Sequence, residues 1–174
     1  MNIVTFSGRV IDPLAPDPEQ IVIEDIAHAL SNLCRFTGHT RVFYSVAQHC
    51  VHCSSLVPDD LALTALLHDA SEAYLADIAR PVKLDPDFGP FYRTAEVRLE
   101  RVIGKRFGLV YPFPPEMHRV DNLMLRTEQR DLMPDLLREP VTELLPPLPL
   151  IAWSPSQAES QFLQRYNIIV REAA

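Results

Sequence analysis

The spacing of the prolines constrains the fold of this chain more than any other feature of its sequence. Among the 174 residues, 16 prolines gather at 13–18, 58, 81–90, 112–115 and 134–155. Proline ends an α-helix because its ring removes a backbone hydrogen bond and clashes with the preceding turn. Helices are therefore expected in the proline-free windows at 19–57, 59–80, 91–111, 116–133 and 156–174. The pattern predicts a mostly α-helical protein.

Apolar periodicity places elements within these windows. Residues 2–11 are rich in β-branched side chains and predict one or two short strands. Helices are predicted at about 23–34, 41–56, 59–76, 90–107, 115–132 and 156–171. We expect Arg80-Pro81 to end the third helix, Ser156 to cap the last, and 134–150 to form an irregular arm. The sequence therefore predicts one all-α domain over 1–174, with about six helices and a short N-terminal β segment.

The charge balance limits the partners of the chain. Sixteen Lys and Arg residues against 23 Asp and Glu residues give a net charge of −7. Duplex nucleic acid and anionic membranes attract basic surfaces, so neither a nucleic-acid polymer nor a membrane is an expected partner. A small nucleotide remains possible, because a metal ion can neutralise its phosphates. The sequence has no basic leader and no run of 18 apolar residues, and we expect a cytoplasmic protein.

Three ionisable residues interrupt the apolar pattern of the predicted helix at 59–76. His68 and Asp69 are adjacent, and Glu72 follows four residues after His68. In a continuous α-helix this spacing places all three on one face. Burying them is costly unless something compensates their charge, and imidazole with carboxylate suits a divalent metal ion.

Further metal ligands are available on neighbouring predicted helices. His49 lies on the preceding helix, and Asp121 lies in an apolar stretch well downstream. With His68 and Asp69 they supply two imidazoles and two carboxylates from three helices. Such a set leaves positions on an octahedral ion for water and a phosphate oxygen. The sequence thus predicts a divalent metal site, with Co, Mn, Zn, Mg, Fe and Ni not distinguished.

At these residues the chain resembles the HD-domain phosphohydrolases, whose pattern is a His, a later His-Asp pair and a downstream Asp, all on helices. The resemblance covers about 23–133 and is greatest to the bacterial 5′-deoxynucleotidases and the small phage dATP triphosphohydrolases. The segments that carry the resemblance are residues 34–39, 44–49, 68–72 and 77–83. The most specific part is His-Asp with Glu four residues after the His, followed by Asp-Ile-x-x-Pro-Val-Lys. The resemblance implies an HD-domain helical bundle.

The resemblance and the residue types together suggest roles. A metal-activated water would attack phosphorus, with Glu72 as the catalytic residue that orients the water or protonates the leaving group. Arg35 and Lys83 would hold phosphate oxygens, and Asp77 would accept a hydrogen bond from a sugar hydroxyl. Phe36 would stack on the base. Because Arg35-Phe36 stands where the relatives have Arg-Trp, base preference does not carry over.

The predicted function is therefore hydrolysis of the 5′-phosphates of deoxynucleotides, by a dNTP triphosphohydrolase or a dNMP 5′-nucleotidase. Two alternatives stay open: a cyclic-nucleotide or (p)ppGpp hydrolase on the same scaffold, and a non-catalytic nucleotide-binding HD module. The expected partner is a small-molecule deoxynucleotide. The resemblance also implies a homo-oligomer, with the proline-rich segment 134–155 and the last helix as interface elements.

Overall fold

Helices dominate the part of the chain that a computed structural model describes, residues 2–134 and 150–172. The α-helices are α1 (Ile23–Asn32), α2 (Val46–Ser54), α3 (Ala62–Leu67), α4 (Glu72–Leu75), α5 (Arg80–Lys83), α6 (Gly89–Phe107), α7 (Pro115–Leu132) and α8 (Pro155–Glu172). Strands β1 (Ile3–Val4) and β2 (Val10–Ile11) pair antiparallel. The predicted class, mostly α-helical with a short N-terminal β segment, is confirmed. The predicted arm lies outside the described residues from 135 to 149.

Helix α2 occupies the centre of the structure. It contacts α1, α3, α7 and α8, and every residue from 46 to 54 except His52 is buried. The core around it is built from apolar side chains of these helices, including Leu30, Ala47, Leu66 and Phe162, all fully buried. A residue on α2 is therefore shielded from water unless it faces a gap between helices. No helix in the described ranges is long and apolar enough to cross a membrane.

The predicted helix at 59–76 is wrong as a continuous α-helix. Helix α3 ends at Leu67, and α4 begins only at Glu72. Between them the amide of Ala70 donates to the carbonyl of Leu67 (3.1 Å), and that of Glu72 to Asp69 (2.9 Å). This i to i−3 pattern is a 3₁₀ turn with three residues per turn, which places Asp69 and Glu72 above one another. Over so short a segment, 3.0 and 3.6 residues per turn give the same apolar pattern.

Pro81 lies at the start of a helix and does not end one, contrary to expectation. Helix α4 closes earlier, at Ala76, where the backbone turns to φ 66° and ψ 159°. Pro81 lies in the first turn of α5, where the missing N–H has no helical acceptor to lose.

The second helix also starts later than its predicted range of 41–56. Ser45 caps α2 by accepting a hydrogen bond from the amide of Gln48 (3.1 Å), so the helix begins at Val46. Before it, the amide of Arg35 donates to the carbonyl of Tyr44 (2.9 Å). The segment at 35–44 is therefore a closed loop, and it carries Arg35 to the side of α2.

Ser154 caps the last helix, and the expected cap Ser156 lies inside it. The Ser154 hydroxyl accepts from the amide of Gln157 (3.3 Å), while the Gln157 side chain accepts from the Ser154 amide (2.9 Å). The two residues thus form a reciprocal capping box, with Pro155 at the first helical position.

Ser154→Ala is expected to lower the free energy of unfolding by about 1 kcal/mol, because it removes the capping acceptor. Chemical denaturation of the full chain measures the change. Ser160→Ala, at an exposed position of the same helix, is the matched control and should not destabilise the protein. Equal stability of the Ser154 variant and the wild type would contradict the capping assignment.

Candidate metal centre

The four predicted metal ligands come together in the structure. His49 lies in the middle of α2, His68 and Asp69 follow α3, and Asp121 lies on α7. The His49 Nε2 atom is 3.2 Å from Asp121 Oδ1 and 3.7 Å from Asp69 Oδ2. The His68 Nε2 atom is 3.3 Å from the same Asp69 oxygen and 3.9 Å from the same Asp121 oxygen. Two imidazole nitrogens therefore face two carboxylate oxygens.

The other nitrogen of each imidazole has an acceptor that determines the tautomer. His49 Nδ1 lies 2.6 Å from Glu128 Oε1, and His68 Nδ1 lies 2.8 Å from the Ala65 carbonyl oxygen. A carboxylate and a carbonyl only accept, so each Nδ1 donates and carries the proton of the neutral ring. Both Nε2 lone pairs then point at Asp69 and Asp121.

This arrangement fits a bound cation. Within residues 2–134 and 150–172, nothing hydrogen-bonds to the buried His68 Nε2, and a buried polar atom without a partner is destabilising. Ligands about 2.1 Å from one ion lie roughly 3 to 4 Å apart. The four imidazole–carboxylate separations, 3.2–3.9 Å, have that size.

The pKa shifts of the ligand side chains also indicate that this site favours a positive charge. Burial lowers the pKa of His68, but the neighbouring Asp69, Cys50 and Asp121 together outweigh burial and raise the pKa well above its usual value. Burial raises the pKa of Asp121, yet its interactions with the protonated forms of His49 and His68 outweigh burial and hold that pKa well below its usual value. A proton and a metal ion thus compete for one place between these groups.

The centre is open on the side of its carboxylates. The His49 side chain is fully buried, whereas the Asp69 and Asp121 side chains are 21% and 38% exposed. Water and a ligand can therefore approach from the Asp121 side, while the imidazoles are held in the core.

Two cysteines of α2 contact the imidazoles. Cys53 Sγ is 3.5 Å from His49 Nε2, and Cys50 Sγ is 4.0 Å from His68 Nδ1. Two sets of side chains, each with a thiol, have ligand atoms that all lie within 4.8 Å of one another: His49, Cys53 and His68, and Cys50, His68 and Asp69. These buried groups can hold a metal ion. Imidazole and thiol donors suit Zn²⁺ and late first-row ions better than Ca²⁺.

Glu128 is the site residue that sequence reasoning missed. It lies on α7, seven residues and so two turns after Asp121, and it is fully buried. One carboxylate oxygen accepts from His49 Nδ1, and the other accepts from Arg35 Nε (2.9 Å). Burial raises the pKa of Glu128, but the charges of Arg35 and His49 outweigh it and keep the pKa low. The i, i+7 spacing from Asp121 on a predicted helix was the available signal.

The hydrogen bond from Arg35 Nε to Glu128 holds Arg35 beside the metal ligands. Its Nη1 atom is 3.6 Å from Asp69 Oδ2, and its guanidinium carbon lies 5.6 Å from the centre of the Phe36 ring. Phe36 and Thr37 both have φ 54°, a left-handed backbone that is strained for residues other than glycine. Such strain concentrates where a side chain must be presented to a ligand. The ring of Phe36 contacts Arg35 and is half-buried.

Glu72 and Lys83 form a second charged group. Lys83 Nζ donates to Glu72 Oε1 (3.3 Å) and to Glu96 Oε1 (3.0 Å). In the described ranges nothing hydrogen-bonds to the buried Glu72 Oε2. Burial, followed by the charges of Asp69 and Asp77, raises the pKa of Glu72 well above its usual value. Burial also raises the pKa of the half-buried Asp77. Glu72 is therefore a carboxyl that can carry a proton.

Two proteins are similar to this chain over almost its whole length. YfdR of Escherichia coli, an uncharacterized protein, is 43% identical over 173 residues, which cover 95% of this chain and 93% of YfdR. RCAP_rcc00048 of Rhodobacter capsulatus, also an uncharacterized protein, is 31% identical over 186 residues, which cover 95% of this chain and 94% of that protein. No protein-family profile matches the chain.

Proposed function

We propose that this chain, which belongs to the family of Escherichia coli YfdR, is a metal-dependent phosphohydrolase of the HD-domain type. Its proposed substrates are deoxynucleotides, which it hydrolyses at their 5′-phosphates. The convergence of His49, His68, Asp69 and Asp121 carries the proposal. Two neutral imidazoles and two carboxylates, drawn from three parts of the chain, form a ligand set for a divalent ion. The resemblance of residues 34–83 to HD-domain enzymes supports the choice of reaction.

The side chains of His49, His68, Asp69 and Asp121 would hold the ion, which would supply the Lewis acidity that neutralises phosphate charge and lowers the pKa of water. Arg35 binds a phosphate oxygen through the guanidinium edge that faces Asp69. Lys83 adds positive charge and orients Glu72. With these groups, a protein of net charge −7 can bind an anion locally.

Glu72 moves the proton in the proposed reaction. Its Oε1 atom is held by Lys83, and its Oε2 atom is buried with no partner in the described ranges. Since burial and the nearby carboxylates raise the pKa of Glu72, Oε2 can carry a proton and donate it to the leaving oxygen. Asp77 binds a sugar hydroxyl, and Phe36, presented by its left-handed backbone, stacks on the base.

The proposed substrate is either a deoxynucleoside monophosphate, which releases orthophosphate, or a deoxynucleoside triphosphate, which releases triphosphate. The resemblance to the small phage enzymes favours the triphosphate. We place the enzyme in the cytoplasm, where such nucleotides are found, and propose that it is a homo-oligomer, as the resemblance implies.

Incubating the chelator-treated protein with Mn²⁺, Co²⁺ or Mg²⁺ and a panel of nucleotides is expected to show metal-dependent hydrolysis of a deoxynucleotide. Ion-exchange chromatography identifies the products and distinguishes orthophosphate from triphosphate. The panel includes ribonucleotides, cyclic nucleotides and (p)ppGpp, and protein with excess chelator is the control. The enzyme proposal fails if no substrate turns over with any metal.

A further inference from the structure

We propose that Glu128 is a positioning residue: its single carboxylate orients both the metal ligand His49 and the phosphate-binding Arg35, and so couples the two binding sites. This inference rests on the proposed function, because it assigns a role within that metal centre. Glu128 lies outside the sequence stretches on which the resemblance to HD-domain enzymes depends.

The geometry places Glu128 between the two side chains. Its Oε1 atom is 2.6 Å from His49 Nδ1, and its Oε2 atom is 2.9 Å from Arg35 Nε. The side chain is fully buried, so both oxygens are withdrawn from water and satisfied by these donors. A charged carboxylate in such a position is tolerated only if the opposite charges around it compensate burial. Its location is therefore determined by these two contacts.

For His49, a carboxylate partner has two consequences. It retains the proton on Nδ1, which leaves the Nε2 lone pair directed at Asp69 and Asp121, and it raises the basicity of the ring as a ligand. The partner of His68 is the neutral carbonyl of Ala65, at 2.8 Å. The two imidazoles are thus supported differently, and Glu128 makes His49 the stronger donor.

For Arg35, the contact at Nε fixes a long side chain that otherwise has many rotamers. The guanidinium is planar, so holding Nε also fixes the direction of both Nη groups. Nη1 lies 3.6 Å from Asp69 Oδ2, at the edge of the ligand set. The Nη groups are then preorganised for the oxygens of a phosphate that also contacts the ion.

Glu128→Gln tests both roles, because glutamine has the same shape but only one acceptor oxygen. Either His49 or Arg35 then meets an NH₂ group in place of an acceptor, and both lose the negative charge that they share. We expect the affinity for Co²⁺ to fall about 10- to 100-fold, the usual effect of losing a supporting carboxylate. We also expect weaker binding of inorganic phosphate to the Co²⁺-saturated protein. Calorimetric titration of the full chain measures both.

Glu116→Gln is the matched control, since it makes the same change on the same helix at a carboxylate that pairs with Arg119. Its Co²⁺ and phosphate affinities should equal those of the wild type. The proposal is overturned if Glu128→Gln binds both ligands like this control, or if only one of the two affinities falls. If the wild type itself binds no Co²⁺, the proposed function fails as well.

A measurement on the wild type keeps the proposal testable if Glu128→Gln does not fold. In Zn²⁺-loaded protein with ¹⁵N-labelled histidine, NMR is expected to show His49 protonated at Nδ1, with that proton strongly deshielded by the 2.6 Å hydrogen bond. A His49 ring protonated at Nε2 would contradict the proposed role. Glu128→Asp, which keeps the charge but shortens the side chain, should lose less Co²⁺ affinity than Glu128→Gln.

Discussion

Asp69→Asn is expected to abolish turnover and metal binding together. The Asp69 Oδ2 atom lies 3.3 Å from His68 Nε2 and 3.7 Å from His49 Nε2, so this one oxygen faces both imidazoles. Asparagine keeps the shape but removes the charge that attracts a cation. We expect turnover to fall at least about 1,000-fold, which corresponds to about 4 kcal/mol of activation free energy. Calorimetric titration with Co²⁺ should show the loss of binding in the same variant.

Asp60→Asn is the control for this experiment, because Asp60 is exposed and lies in the 3₁₀ turn before α3. It should retain both metal affinity and turnover. Thermal unfolding of both variants without metal establishes that they are folded. Full activity of Asp69→Asn would refute the assignment of Asp69 as a ligand.

Glu72→Gln is expected to separate metal binding from turnover. Glutamine can still accept from Lys83 through its amide oxygen, but it cannot transfer a proton. Loss of a general acid or base typically costs a factor of about 100 to 10,000 in rate. Metal affinity should stay at the wild-type value, because the Glu72 carboxylate makes none of the contacts that bring the four ligands together.

Glu96→Gln is the matched control for Glu72, since both carboxylates accept from Lys83 at similar distances of 3.0 and 3.3 Å. If Glu72 acted only by orienting Lys83, the two variants would lose turnover equally. The proton-transfer role predicts a much larger loss for Glu72→Gln. Wild-type turnover in that variant, or a loss of its metal affinity, would contradict the role.

The prolines and caps predicted the helices well where the signal was local. The predicted ranges 90–107 and 115–132 agree with α6 and α7 to within one residue. The prediction failed at 68–71, where the chain tightens into a 3₁₀ turn, and at Ser154, where a reciprocal hydrogen bond selects the cap. In both places two local conformations share one residue pattern, and hydrogen bonding decides between them.

The identities of the four candidate ligands followed from the sequence alone, because ionisable residues inside apolar helices need a compensating charge wherever those helices pack. The role of Glu128 did not. Its two partners are 79 and 93 residues away along the chain, and only the packing of α7 against α2 and the loop at 35–44 brings them together. Local patterns thus identified the candidate ligands, and tertiary structure decided how those residues are oriented.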